Sequence, residues 1–110
     1  MDIKLFVTEW IRSGNAFDTE GYLEKYREDA VLDDVSVGRK FVGHAGIGDY
    51  FKSYFIGYQT QTRLEKLDVQ DNEAHVEVEF TGTFPEGKIG GMFDIAFKDG
   101  KIWTVKADLI

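Results

Sequence analysis

Asp33 and Asp34 stand side by side in AVLDDVSV (residues 30–37), a run otherwise rich in Val and Leu. An ionised carboxylate inside an apolar strand costs roughly several kcal/mol unless it is paired or solvated. Each acid must therefore reach water, find a donor, or sit in a cavity where it can move a proton between neighbouring carbons. Strand alternation separates the two. Ala30, Leu32, Asp34 and Ser36 share one face, and Val31, Asp33, Val35 and Val37 share the other. Periodicity does not say which face is inside.

Other side chains carry chemistry of their own. His75, Glu77 and Glu79 recur at period two, so they share a strand face and resemble part of a metal site. No clear further ligand accompanies them, and a solvated or subunit-facing sheet surface accounts for the row. Asp94 alternates against Phe93, and Asp108 against Trp103, Val105, Ala107 and Leu109, so both acids are expected to point away from the apolar side. Trp10 lies on a helical apolar stripe, where its indole N–H serves either the core or a ligand oxygen. His44 opens a helix and reads as a neighbour of its cap. Gly43, Gly46 and Gly48 do not form GxGxxG and no lysine follows, which removes a phosphate loop.

The elements that must position these residues follow from pattern. Ile3, Phe6, Val7, Trp10 and Ile11 predict a helix over residues 2–13, capped by Asp2 and stopped by Gly14. A short second helix follows Asp18, with Tyr22, Leu23 and Tyr26 as its buried stripe. The strand at 30–37 turns at Gly38-Arg39-Lys40 into a brief return at Phe41-Val42. A third helix spans 43–58, with Ile47, Tyr50, Phe51, Tyr54, Phe55 and Tyr58 on one face. Four strands complete the chain: 59–69, 73–84, 89–98 and 102–110. Asp71-Asn72, Pro85-Glu86-Gly87-Lys88 and Asp99-Gly100 supply their turns. Early helices and late hairpins predict an α+β fold. Gly82, Gly90 and Gly91 predict a strongly bent sheet, and a bent sheet closed by helices encloses a pocket.

Totals bound the function. One domain over residues 1–110 suits the length. Nine Phe, five Tyr and two Trp exceed what a minimal core needs, and surplus aromatics suit a ligand cavity or an interface. The absence of cysteine excludes disulfides and thiolate chemistry. Thirteen basic against twenty acidic residues give a net charge of −7, which disfavours nucleic acid and anionic membranes as partners. With no apolar run of membrane-spanning length, a cytoplasmic protein is expected.

Several segments together are similar to the nuclear transport factor two-like superfamily, in its SnoaL-like and ketosteroid isomerase-like branch. They are Trp10, FDTEGYLEKY (17–26), EDAVLDD (28–34), Gly43 opening an aromatic helix, and FKDGKI (97–102). The resemblance implies a conical α+β barrel: a strongly bent antiparallel sheet with three N-terminal helices closing a cavity, commonly a homodimer packed sheet to sheet. It assigns the family's general base to Asp34 rather than Asp33. The position of the family's oxyanion tyrosine is Trp10 here, and its protonated aspartate falls at Phe93, with Asp94 one residue away. The base therefore matches and the oxyanion hole does not. The expectation is a site that binds an apolar or polycyclic small molecule without a cofactor or metal, walled by Trp10, Phe51, Tyr54, Phe80 and Phe93. Cofactor-free isomerase or cyclase chemistry at Asp34 is one outcome. A non-catalytic binding or dimerisation module of the same fold is the alternative.

Overall fold

A computed structural model describes residues 1–110 as a six-stranded curved sheet with helices packed on one face. Helix α1 (Ile3–Asn15) begins where the Asp2 carboxylate accepts from the Leu5 amide at 3.0 Å. It runs past the expected stop at Gly14, which is buried beside the rings of Phe51 and Tyr22. Asn15 then exchanges two hydrogen bonds with the backbone of Thr62, 2.9 and 2.7 Å long. Helix α2 (Thr19–Glu24) is capped by Asp18, as its sequence predicts.

Strand β1 (Tyr26–Asp34) starts four residues before the predicted position. Strand β2 (Arg39–Val42) returns beside it and leads into helix α3 (Gly43–Phe51). The predicted helix over 43–58 is interrupted. After Phe51 it widens into a π-helical turn, Lys52–Ile56, and Gly57 closes it by donating to the Lys52 carbonyl at 2.9 Å. Strands β3 (Gln61–Gln70), β4 (Glu73–Thr81), β5 (Lys88–Lys98) and β6 (Lys101–Leu109) follow as a meander. Asp99 and Gly100 both have positive φ, 53° and 75°, as the two-residue hairpin between β5 and β6 requires.

The sheet order is β2-β1-β6-β5-β4-β3. The expected α+β cone, a strongly bent sheet with helices on one face, is what the chain forms, with two particulars of its strand pairing. The sheet stays open, with β2 and β3 as its edges, and β1 pairs with β6 in parallel. The parallel pair arises because the last strand of the meander lies against the first strand, after the chain has crossed through α3.

Alternation gives the sheet two unlike faces. The helix-covered inner face carries Ala30, Leu32, Val76, Val78, Phe93, Ile95, Val105 and Ala107, all buried. Each Val, Leu, Ile or Phe among them contributes about 1.5–3 kcal/mol of burial. Trp103 was expected among them and is not. Phe97 pairs with Ile102 and Ala96 with Thr104, so Trp103 is the extra residue of a bulge. It turns outward, 40% exposed, with the Lys98 ammonium 5.0 Å above its ring. No helix is long and apolar enough to cross a membrane.

Candidate active site

Asp34 is the last residue of β1 and faces inward with Leu32 and Ala30. It is 6% exposed, one of two buried polar or charged side chains in the protein. The turn that follows explains how a carboxylate is held there. Asp34 Oδ1 accepts from the Ser36 amide at 3.0 Å, the Ser36 hydroxyl at 2.6 Å and the Val37 amide at 3.2 Å. Such side-chain-to-backbone closure is what Asp supplies at a tight turn. Gly38 completes the turn at φ +73°. Oδ2 takes part in none of these bonds.

A pocket of about 250 Å³ opens beside Asp34. Helix α3 and the π-helical turn supply Tyr50, Tyr54 and Phe55, and the segment after Gly57 adds Tyr58 and Thr60. Phe80 comes from β4. The β4–β5 hairpin brings Phe84, Pro85 and Glu86 over the mouth, and Ile89 and Leu109 complete the wall. The π-helical turn is secured by Thr60, whose hydroxyl donates to the Tyr54 carbonyl at 2.8 Å. Gly91 makes room for Phe80, because a Cβ at that position would collide with the Phe80 ring. Burial pushes the Tyr50 phenol well above its ordinary range, with Tyr22 and the Asp34 carboxylate adding to the rise. Tyr50 is therefore a neutral hydroxyl, able to donate, on the wall that holds the acid.

Of the residues expected to form the site, Asp34, Tyr54 and Phe80 line this pocket. Trp10, Phe51 and Phe93 lie outside it, packed in the core. Trp10 meets Phe93 edge to face at 5.0 Å, and Phe51 stacks on Tyr22 at 4.1 Å. The space left around Trp10 and Phe93 is about 10 Å³, room for no more than a water. The Trp10 indole N–H is committed to the Tyr26 hydroxyl at 3.0 Å, and Tyr26 donates onward to Tyr22 at 2.7 Å. Burial raises both phenols above their ordinary range, so the chain of hydroxyls stays neutral. Pattern reading passed over Tyr50, Tyr58, Phe84 and Glu86 as wall residues. The available signal was the aromatic face of the third helix and the phenylalanine preceding the Pro85 turn.

The other acids and histidines lie elsewhere. His44 Nε2 bonds to the Tyr26 carbonyl at 2.9 Å and ties α3 to β1. Asp94 lies exposed on the outer face, and Asp108 pairs across from Met92 on that side. His75 sits between Asp94, 2.6 Å from Nδ1, and Glu77, 2.8 Å from Nε2. These bonds raise its pKa above the ordinary 6.5, against a small opposing effect of burial.

The outer face also holds the larger hollow, about 620 Å³, with Asp33, Lys40, Asp68, His75, Asp94 and Lys106 in its lining. These six are register partners across the whole sheet, in the order Lys40–Asp33–Lys106–Asp94–His75–Asp68. With His75 protonated, the row alternates in sign at every step.

Comparison with known proteins bears on the fold. The model of the SnoaL-like domain family matches residues 7–105. No curated protein matches the chain. Among solved structures, a candidate polyketide cyclase from Sinorhizobium meliloti superposes with a TM-score of 0.85 at 20% identity, over 93% of this chain and 92% of that one. RV0760c from Mycobacterium tuberculosis, in complex with estradiol-17β-hemisuccinate, superposes at 0.81 and 17% identity, over 94% and 89%. A protein with a ketosteroid isomerase-like fold from Catenulispora acidiphila, in complex with trimethylamine, superposes at 0.82 and 11% identity, over 93% and 82%. At these identities the likeness is one of fold.

Proposed function

The chain belongs to the SnoaL-like domain family, and on that footing we propose that its inner pocket binds a small molecule with an apolar body. Asp34 is the proton-accepting group, in cofactor-free isomerase or cyclase chemistry of the kind that passes through an enolate. One observation carries this reading: a buried carboxylate on the wall of an aromatic pocket, with one oxygen fixed by three donors and the neutral Tyr50 hydroxyl beside the carboxylate. A general base needs such a fixed orientation, and the second oxygen, outside those three bonds, supplies the lone pair. Tyr50 is placed to donate to a developing oxyanion, the part that Trp10 does not play because its N–H is spent on Tyr26. The bound ligands of the two neighbours are consistent with a small-molecule pocket in this fold.

Asp34→Asn tests the assignment, because Asn keeps an oxygen for the Ser36 and Val37 donors and loses the basic carboxylate. The expected outcome, in a screen of cyclic enolisable ketones, is turnover reduced by roughly 10²–10⁴ with the Tm unchanged. Full activity in the variant would end the reading. The three donors on Oδ1 also favour a second reading, in which Asp34 serves the turn and the domain binds its ligand without catalysis. Ligand binding in the wild type with no turnover across the screen would select it.

We also propose that the outer face joins two copies of the chain. Around a two-fold axis parallel to the strands, the charged row meets its own reverse. Lys40 then faces the partner's Asp68, Asp33 faces the partner's His75, and Lys106 faces the partner's Asp94. Every rung pairs opposite signs, which is what sets register and excludes other arrangements.

A further inference from the structure

We infer that the inner pocket selects a cation, a small amine or quaternary ammonium group on an apolar body. The inference rests on this pocket being the ligand site and adds the sign of the ligand's charge. Its wall contains two carboxylates, Asp34 at depth and Glu86 at the rim, and no lysine, arginine or histidine. Asp34 is more than nine-tenths buried and lines the pocket with the neutral Tyr50 hydroxyl as its neighbour, so no cation of the pocket wall balances its charge. A carboxylate held in a wall without a counter-charge favours a positive guest.

The rest of the wall has the matching chemistry. Aromatic faces attract cations, most strongly where water is excluded. Phe55 and Phe80 meet at 86°, and Tyr58 and Phe84 at 81°, so the wall presents rings in several orientations rather than one stack. Tyr54 closes a further side next to Tyr50, 5.5 Å between ring centres. The protein's own nearby cation stays out. Arg39 is the cross-strand neighbour of Asp34, yet its guanidinium lies 4.7 Å from the Phe41 ring centre and lines no part of the pocket.

The test is a matched pair of probes, choline and 3,3-dimethyl-1-butanol, which share a shape and differ by a positive nitrogen in place of a carbon. Each is titrated into the full chain, isotope-labelled, while the amide signals of Asp34, Tyr54 and Phe80 are followed by NMR. Choline is expected to shift these signals and to bind at least about tenfold tighter than the alcohol. Glu86→Gln, which leaves the Asp34 turn intact, is expected to reduce that preference severalfold, and Asp34→Asn to reduce it further. Equal binding of the two probes would overturn the charge selection and leave the pocket as a ligand site. Failure of both to shift the pocket signals would overturn the inference together with the reading it rests on.

Discussion

Asp33 and Asp34 are chain neighbours with the same side chain, and they stand on opposite faces of one sheet. On the outer face Asp33 lies between Lys40 and Lys106, its partners across both neighbouring strands. The outer hollow leaves it half-buried, within reach of water and counter-charge. On the inner face Asp34 is enclosed by aromatic rings and depends on three donors from its own turn. The same charge is thus tolerated by solvent and neighbouring lysines on one side and by local backbone geometry on the other. Only the second arrangement sets a buried carboxylate on the wall of an aromatic pocket.

The sharpest way to break the comparison is to move a carboxylate one residue along β1. Leu32→Asp places an acid on the inner face at a fully buried position, away from the donors of the turn. The expected loss is about 4 kcal/mol or more, or no folding at all. Val31→Asp places it on the outer face beside Thr104 and is expected to change stability by about 1 kcal/mol or less. Urea unfolding of both variants decides the matter, and similar losses would mean that the two faces do not differ as described.

A smaller effect is expected from the outer row itself. Lys106→Glu reverses one rung, places three acids in succession, and should weaken dimerisation by about tenfold or more in sedimentation equilibrium. Adding Asp94→Lys restores opposite signs across the rung between positions 106 and 94, in the reverse sense, and should recover the dimer. A wild-type chain that is monomeric at high concentration would remove the proposal, and so would a Lys106→Glu dimer of unchanged affinity.

The smallest effect concerns pH. His75 faces Asp68, Glu77 and Asp94, with Lys106 one strand further on. Its folded pKa is raised, so the stabilisation is complete below the unfolded value near 6.5 and is lost as pH rises through the higher folded value. The side chain is 35% exposed, and solvent screening keeps the contribution modest. The Tm should fall slightly from about pH 6 to pH 8 in the wild type, and this component should vanish in His75→Asn. An unchanged slope in that variant would mean that His75 is not the titrating group.

Much of the fold was legible because local chemistry agreed with it. Asp2 and Asp18 are the caps their positions suggest, Asp99-Gly100 is the hairpin its residues demand, and β4 alternates as written. The bulges were not legible, since an extra residue leaves no mark on composition. Trp103 left the inner face in this way. Glu65 is a second extra residue, slipped between Leu64 and Lys66 so that Leu64 and Leu67 both pack inward. The site divides similarly. Aspartates in an apolar strand mark themselves, whereas the commitment of the Trp10 N–H to Tyr26 depends on two elements meeting in space. The widening of α3 after Phe51 depends on how its last turn meets Thr60.

Gly91 stands behind the wall of the pocket without touching its contents. Phe80 rests in the space where a side chain at 91 would begin, so the dimensions of the chamber are written one layer back from its lining. For a diverging lineage this separates two kinds of change. Replacing a wall residue alters what a guest meets, while replacing this glycine alters how far the wall can recede with every contacting group retained. Room and recognition are set here by different residues.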